Sequence, residues 1–302
     1  VSSLAAHLAK AGPIARRGEL LRAGFTDRDI RRGLETRIVF RVRHGWYALS
    51  GTSETVARAI RVGGTITGVE ALRLRGLFLP RPSVIDIRVP HNAAHLRRPS
   101  HMRQRLQDGD AVRVRWTEAT RAELSSREWL ATEDDALNLI LRTADRDLAV
   151  AACDGLIRYR GWRSARLDRA FARAPLRVRE WRHLVDGRAD SWGETFVRLW
   201  LADAGIAMTP QPEVPGVGRF DGRVAPGVLI EVDGAQHDEN WDGEGGSSFE
   251  RDHLKDVRLA AQGGRSIRIT YTMLEKHWDE CLDAVRTAIA LDRGGRRSPV
   301  EN

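Results

Sequence analysis

The chain has 302 residues, with 49 Lys+Arg against 41 Asp+Glu for a formal net charge of +8, and 42% hydrophobic residues. That length suffices for two or three domains with cores of their own, and no apolar run approaches the roughly eighteen residues of a membrane span. The two cysteines, Cys153 and Cys281, are too far apart for a C-x-x-C motif, and no signal-peptide pattern opens the chain. The composition therefore leads us to expect a cytoplasmic protein without a zinc site.

The charge is uneven. Residues 1–120 hold 22 Lys+Arg and 10 Asp+Glu, an excess of 12, which leaves −4 for residues 121–302 when subtracted from the total. A polyanion-binding surface is expected in the first half. Helices are expected at Ser3–Ala11, Arg16–Ala23 and Thr26–Glu35, the last capped by Thr26 with Asp29 at the capping-box position. Two β-rich runs follow, Ile38–Arg43 and Trp46–Leu49, joined at His44-Gly45 as in a hairpin. Three helices and a hairpin make residues 1–51 a winged helix-turn-helix. The third helix would offer Arg28, Arg31 and Arg32 to a DNA groove, with Arg37, Arg41, Arg43 and His44 around the wing. With its closing Gly45-Trp46-Tyr47-Ala48-Leu49, this segment resembles the N-terminal domain of AbiEi-type antitoxins, which implies DNA as a partner. Winged helices also mediate protein contacts, so that alternative stays open.

Residues 52–120 read as a small α/β module, with helices at Glu54–Val62 and Val69–Arg75 and strands at Val84–Val89 and Ala111–Trp116. Pro90–Arg105 between them reads as a basic loop suited to phosphate. A helical connector is expected over 121–186, with segments at Ala136–Leu141, Leu148–Arg158 and Ala165–Ala172 and with Cys153 as a buried small hydrophobe.

The last stretch carries chemistry. In Val228-Leu229-Ile230-Glu231-Val232-Asp233-Gly234, acids interrupt an apolar β-branched run. Period-two alternation puts Glu231 and Asp233 on one face and Ile230 and Val232 on the other. Ten residues upstream lies Asp221, with Arg223–Gly227 reading as the hairpin connection that would bring Asp221 beside Glu231. Paired half-buried acids call for a cation, and a divalent metal is the simplest. Ser191-Trp192-Gly193-Glu194 is a capping box opening an amphipathic helix from Thr195 to Ala204, with Phe196, Leu199 and Trp200 on its apolar side. Glu194 is either a third acid of the site or simply a cap reaching back to the Ser191 amide.

Asp221, Glu231, Asp233, Gly234 and His237, followed by Arg251, Asp252, Lys255, Asp256 and Leu259 and then by Ser266–Thr270, resemble the PD-(D/E)XK nuclease superfamily. Within it they are similar to the very-short-patch-repair-like domains. The resemblance spans about 110 residues. It implies a restriction-endonuclease-like domain over 187–291 and a metal-dependent deoxyribonuclease acting with Mg²⁺ or Mn²⁺. Asp221, Glu231 and the Val232 carbonyl would be ligands, with Gln236, His237, Glu194 and Lys255 beside them. Asp233 occupies the position of the usual lysine, so Lys255, one of three lysines in the chain, is the candidate replacement cation. Its alternative role is an i, i+3 partner of Asp252. Asp238–Ser248 reads as a mobile loop, and 292–302 as a disordered tail. The expected fold class is α/β: winged helix-turn-helix, small α/β module, helical connector, and a mixed sheet flanked by helices. A homodimer, an RNA substrate, a regulatory protein partner and a non-catalytic DNA-binding regulator all stay open at this point. No membrane association is expected.

Overall fold

The computed structural model describes residues 3–118, 129–233 and 245–295, with the backbone alone at 245–252 and 295. The described residues form a mixed α/β structure of small sheets without a barrel, and the chain divides into two compact units: Val1–Arg75 with Arg81–Leu139, and Gly76–Pro80 with Ile140–Asn302. No helix among the described residues is long and apolar enough to cross a membrane.

The first unit begins with α1 (Leu4–Ala11), β1 (Ile14–Arg16), α2 (Arg17–Arg22), α3 (Asp27–Glu35), β2 (Val39–Arg43) and β3 (Trp46–Leu49). The strands form an antiparallel sheet in the order β1-β3-β2. Helix α3 starts where the capping box requires, since the Thr26 hydroxyl accepts from the Asp29 amide and the Asp29 carboxylate from the Thr26 amide. One expectation fails here. Residues 14–16 are strand because they pair with Trp46–Ala48, and the second helix starts only at Arg17, after Glu19 has satisfied the Arg16 amide at 2.8 Å. Leu4, Leu8, Leu20, Ile30, Val39 and Tyr47 close the core. Gly33 lies so near Leu4 and Val39 that a Cβ would press on both.

The same unit continues through α4 (Glu54–Val62), β4 (Thr65–Ile66), α5 (Gly68–Leu74), β5 (Ile85–Pro90), β6 (Arg97–Arg98), β7 (His101–Arg105) and β8 (Val112–Thr117). Strand β5 pairs antiparallel with β4 and parallel with β8. The expected basic loop is partly ordered: Arg97 and Arg98 turn back at Pro99-Ser100 onto β7, and Arg98 pairs with Asp110 at 3.1 Å.

The division between units falls within α6 (Glu133–Thr143). The second unit then runs through α7 (Arg146–Arg160), α8 (Ser164–Ala172), α9 (Leu176–Arg179), a 3₁₀ turn at Glu180–Leu184 and α10 (Trp192–Asp203). The short strands β9 (Thr209–Pro210), β10 (Glu213–Val214), β11 (Gly218–Arg219) and β12 (Gly222–Ala225) precede β13 (Val228–Asp233), α11 (Gly245–Ala261), β14 (Arg265–Thr270), α12 (Tyr271–Lys276) and α13 (Trp278–Gly295). The principal sheet has the order β14-β13-β12-β9, with β13 and β14 parallel and the other pairs antiparallel.

Four expectations are corrected in this unit. Arg223–Ala225 are strand, and only Pro226-Gly227 turn. Gly245–Ser248 belong to α11, whose first turn tolerates Gly and Ser because its amides lack intrahelical partners in any case. Helix α13 runs past Leu291 to Gly295, with Asp292 against Gly227 at a place where a Cβ would collide with it. Burial also runs around α10 instead of following one stripe: Trp192, Val197, Leu199 and Leu201 are buried while Phe196 and Trp200 are half-exposed. The cause is that α10 packs on both α7 and α12.

A buried carboxylate on α7 sets the position of α10. Asp154 accepts from the Asp186 and Gly187 amides at 2.8 and 3.0 Å, and from Thr195 Oγ1 and the Arg198 guanidinium at 2.9 Å each. Burial pushes its pKa up, against Arg198 and these hydrogen bonds. Removing one member of such a pair strands the other charge. Asp154→Ala should therefore lower stability by roughly 3–5 kcal/mol in urea unfolding, and a loss below about 1 kcal/mol would show that the network does not anchor α10.

Candidate functional site

The register of the principal sheet builds the site. Gly222 pairs with Ile230 on one side and with Pro210 on the other, so the preceding residue, Asp221, comes beside Glu231 and Gln211. Main-chain bonds hold it there: the Asp221 amide donates to the Ile230 carbonyl at 3.1 Å, and the Gln211 amide to the Asp221 carbonyl at 3.0 Å. Across the parallel pairing Glu231 is matched with Arg268. Gln211, Asp221, Glu231 and Arg268 thus make one lateral row across the sheet, and cross-strand neighbours of this kind have Cβ atoms about 5 Å apart.

Helix α11 covers the Glu231 end. Leu229 and Glu231, two apart, share a face; Leu229 packs with Phe220, Val214 and Leu259, and Glu231 meets Lys255, which precedes Leu259 by one helical turn. The Lys255 ammonium pairs with Glu231 Oε1 and lies 3.9 Å from the centroid of the Phe220 ring. Arg268 stands 3.4 Å from Glu231 Oε2 and 2.9 Å from Asp256. The strand–helix partnership of Glu231 and Lys255 is thus in place, and Lys255 turns to the sheet.

Helix α10 delivers Glu194 to the other end. Ser191 caps the helix by accepting from the Glu194 amide at 3.2 Å, but the Glu194 carboxylate reaches back to the Asp190 amide, at 2.9 Å, one residue beyond the expected Ser191 amide. The same oxygen accepts from Gln211 Nε2 at 2.7 Å, and that amide nitrogen also stands 3.5 Å from Asp221 Oδ1. The sequence reading missed Gln211 and Arg268. Arg268 is a polar residue inside an apolar β-run, the signal that singled out Glu231. Gln211 lies between Pro210 and Pro212, ten residues before Asp221, and has φ +52°, a left-handed backbone that a non-glycine residue rarely adopts. A Cβ on Gly193 would collide with Tyr271 and crowd Val232, so its absence lets α10 approach β13.

The three acids share an electrostatic strain. Burial raises the pKa of Asp221, opposed by the Val232 amide, which donates to its Oδ2 at 2.8 Å, and by Lys255. Burial raises that of Glu231 too, opposed chiefly by Lys255, while the charge on Asp221 pushes it further up. Glu194 is pushed up to about 7, by burial first and by Asp221 second.

The remaining expected residues are less gathered. Asp233 ends β13, half-buried, and adds to the field around Arg268. Gln236 and His237 lie outside the described residues. Val232 belongs to the β13–β14 pairing next to the acids. In the first unit Arg28, Arg31, Arg32, Arg37, Arg41 and His44 are exposed, the first three on one face of α3. Arg43 departs from them: it is half-buried, its guanidinium lying over Gly63.

The donors facing the row are hard oxygens, among them Gln211 Oε1, which is buried and makes no hydrogen bond among the described residues. They fit a hard divalent cation. Among the described residues no three His, Cys, Asp or Glu side chains form a cage by themselves, whereas Mg²⁺ is commonly held by one or two carboxylates together with substrate phosphate. Compared with known proteins, the chain matches no family model, and no curated protein to a significant degree.

The Glu194 carboxyl gives this site a stability signature. Its pKa is about 7 in the folded chain against an ordinary 4.5. Below about pH 4.5 both states hold the proton; between about 4.5 and 7 only the folded state keeps it, so stability falls, by ~3 kcal/mol once pH exceeds 7. Glu194→Gln should match wild type near pH 4 and exceed it in urea midpoint near pH 8. A difference independent of pH would overturn the assignment.

Proposed function

We propose that the chain is a metal-dependent nuclease that hydrolyses DNA phosphodiester bonds. The observation that carries this reading is the lateral row: two acids side by side on adjacent strands, a third acid with pKa near neutrality, a buried amide oxygen without a hydrogen bond among the described residues, and a lysine on the covering helix. The mixed sheet with α10 on one side of the row and α11 on the other supports a restriction-endonuclease-like core. Three helices with a three-stranded antiparallel sheet support a winged-helix reading of residues 1–51, with the exposed arginines of α3 as phosphate and base contacts.

Asp221 and Glu231 would hold Mg²⁺ or Mn²⁺, with Gln211 Oε1 or the Val232 carbonyl as a further oxygen. Such a cation supplies Lewis acidity toward a phosphoryl oxygen and acidifies a water. The chain's own groups do the rest. Lys255 and Arg268 place positive charge where a scissile phosphate gathers negative charge. Glu194, poised near pH 7, can hold a proton or release it. Gln211 ties Glu194 to Asp221 and fixes their separation.

One observation favours a second reading. Glu231 is already neutralised by Lys255 and Arg268, an arrangement that is stable without a metal, as in a non-catalytic DNA-binding regulator. Cleavage assays on supercoiled, linear and single-stranded DNA and on RNA, in Mg²⁺, Mn²⁺ and EDTA, separate the two. Asp221→Ala and Glu231→Ala should each lower metal-dependent cutting by at least ~10²-fold, and Lys255→Met by a comparable factor. No cutting by wild type in any metal, with DNA binding that survives Asp221→Ala, selects the regulator; cutting of RNA alone would make the chain a ribonuclease. Independently, the triple change of Arg28, Arg31 and Arg32 to Gln should weaken DNA binding and flatten the log K against log salt slope by about 1 per phosphate contact removed. An unchanged slope would take α3 out of the interface.

A further inference from the structure

The hairpin of β6 and β7 in the first unit has an irregular ladder. Arg97 is paired with Arg105 and Arg98 with His101, so one step along β6 spans four along β7, and Met102, Arg103 and Gln104 have no residue opposite them. These three form a bulge, and all are exposed. The rest of the hairpin is held. At its base the Leu106 amide donates to the Leu96 carbonyl at 3.0 Å, and Arg98 pairs with Asp110, which also accepts from the Gln107 amide at 3.0 Å. At its turn the Arg61 guanidinium, anchored on Glu54 at 2.7 Å, donates to the carbonyl of the buried Pro99 at 2.9 Å. Helix α4 thus supports the hairpin from one side while the bulge projects from it.

Bulges re-aim side chains, and the chemistry aimed here is specific. A guanidinium fork matches the two acceptors on the major-groove edge of guanine, a glutamine amide matches the donor and acceptor of adenine, and an apolar side chain meets the methyl group of thymine. Arg103, Gln104 and Met102, the last 37% exposed, supply one of each. Behind them Arg97 and Arg105 stand directly opposite each other, a pairing of like charges that weakens a hairpin in water and suits a surface that meets phosphates. Two strands about 4.8 Å apart fit a major groove about 12 Å wide. An acidic protein surface would engage the arginines but would give Gln104 and Met102 nothing to do.

We propose that this bulge reads duplex DNA in the major groove, with Arg103 and Gln104 on base edges and Arg97 and Arg105 on the flanking phosphates. The inference rests on DNA as the partner and adds a determinant of sequence preference outside the winged helix. It does not depend on whether the acidic row cleaves.

Selection of bound duplexes from a random pool by the full chain tests it, with EDTA present to prevent cutting. Wild type should enrich a motif with a defined G and a defined A. Changing Arg103→Ala together with Gln104→Ala should lower affinity for that motif at least about ten-fold and leave binding to unrelated duplex nearly unchanged. Arg97→Gln with Arg105→Gln should instead weaken all duplexes alike and flatten the log K against log salt slope by about 2. Gln104→Arg should exchange the preferred A for G at one position, a result that a damaged fold cannot imitate. The proposal is overturned if the double alanine variant keeps the wild-type motif and affinity, if it weakens every duplex equally, or if Gln104→Arg leaves the motif unchanged. Displacement of the motif by polyglutamate as readily as by duplex would mark an acidic-protein surface and overturn it too. In each of these outcomes wild type still binds DNA, whereas wild type that binds no duplex removes the DNA reading itself.

Discussion

The second unit is organised around one ion pair, Glu231 with Lys255. A carboxylate drawn into the half-buried face of a central strand needs a cation within reach, and the chain meets that demand from the helix that also closes the core over the same strand. Two periodicities make the match: a spacing of two along β13 puts Leu229 and Glu231 on one face, and a spacing of four along α11 puts Lys255 and Leu259 on one face. Shifting either element by one residue would place a leucine at the charge or the charge in the core. The register of β12 and β9 then follows from β13, and with it the positions of Asp221 and Gln211.

The row is not electrostatically relaxed. Lys255 and Arg268 serve Glu231 most directly, and Glu194 and Asp221 at the far end have amides and one glutamine between them. That gradient explains why Glu194 holds its proton to near neutrality whereas Glu231 is the acid with cationic partners on both sides. A proton, a metal ion or a phosphate-bound cation all answer the same deficit. The buried Asp154 network shows the contrast: four donors, Arg198 among them, meet its carboxylate directly.

Much of this was legible in the sequence where a local rule had no competitor. Thr26 with Asp29 marked the start of α3, the apolar run with acids marked β13, and the scarcity of lysine drew attention to Lys255. Elsewhere long-range pairing overrode local pattern. Arg16 read as the first residue of a helix and instead ends a strand, because Trp46–Ala48 were there to pair with residues 14–16. Arg97–Arg98 looked like loop and formed a hairpin. Asp154 sits inside a helical run that looked apolar, and nothing nearby in sequence announces donors supplied from residues 186–198. Gln211 reaches the site through strand order, which no periodicity encodes.

The backbone of Gln211 limits which residue the chain can tolerate there. With prolines on both sides and a left-handed φ of +52°, the segment has few other conformations to relax into. Glycine would accept that backbone but offers no side-chain amide, and asparagine accepts it too but is one methylene too short to bridge Glu194 and Asp221 as glutamine does. Most other side chains meet a steric penalty before any chemistry is asked of them. The position therefore joins two demands, a left-handed backbone whose steric cost glutamine itself bears and a side-chain amide long enough to reach both acids.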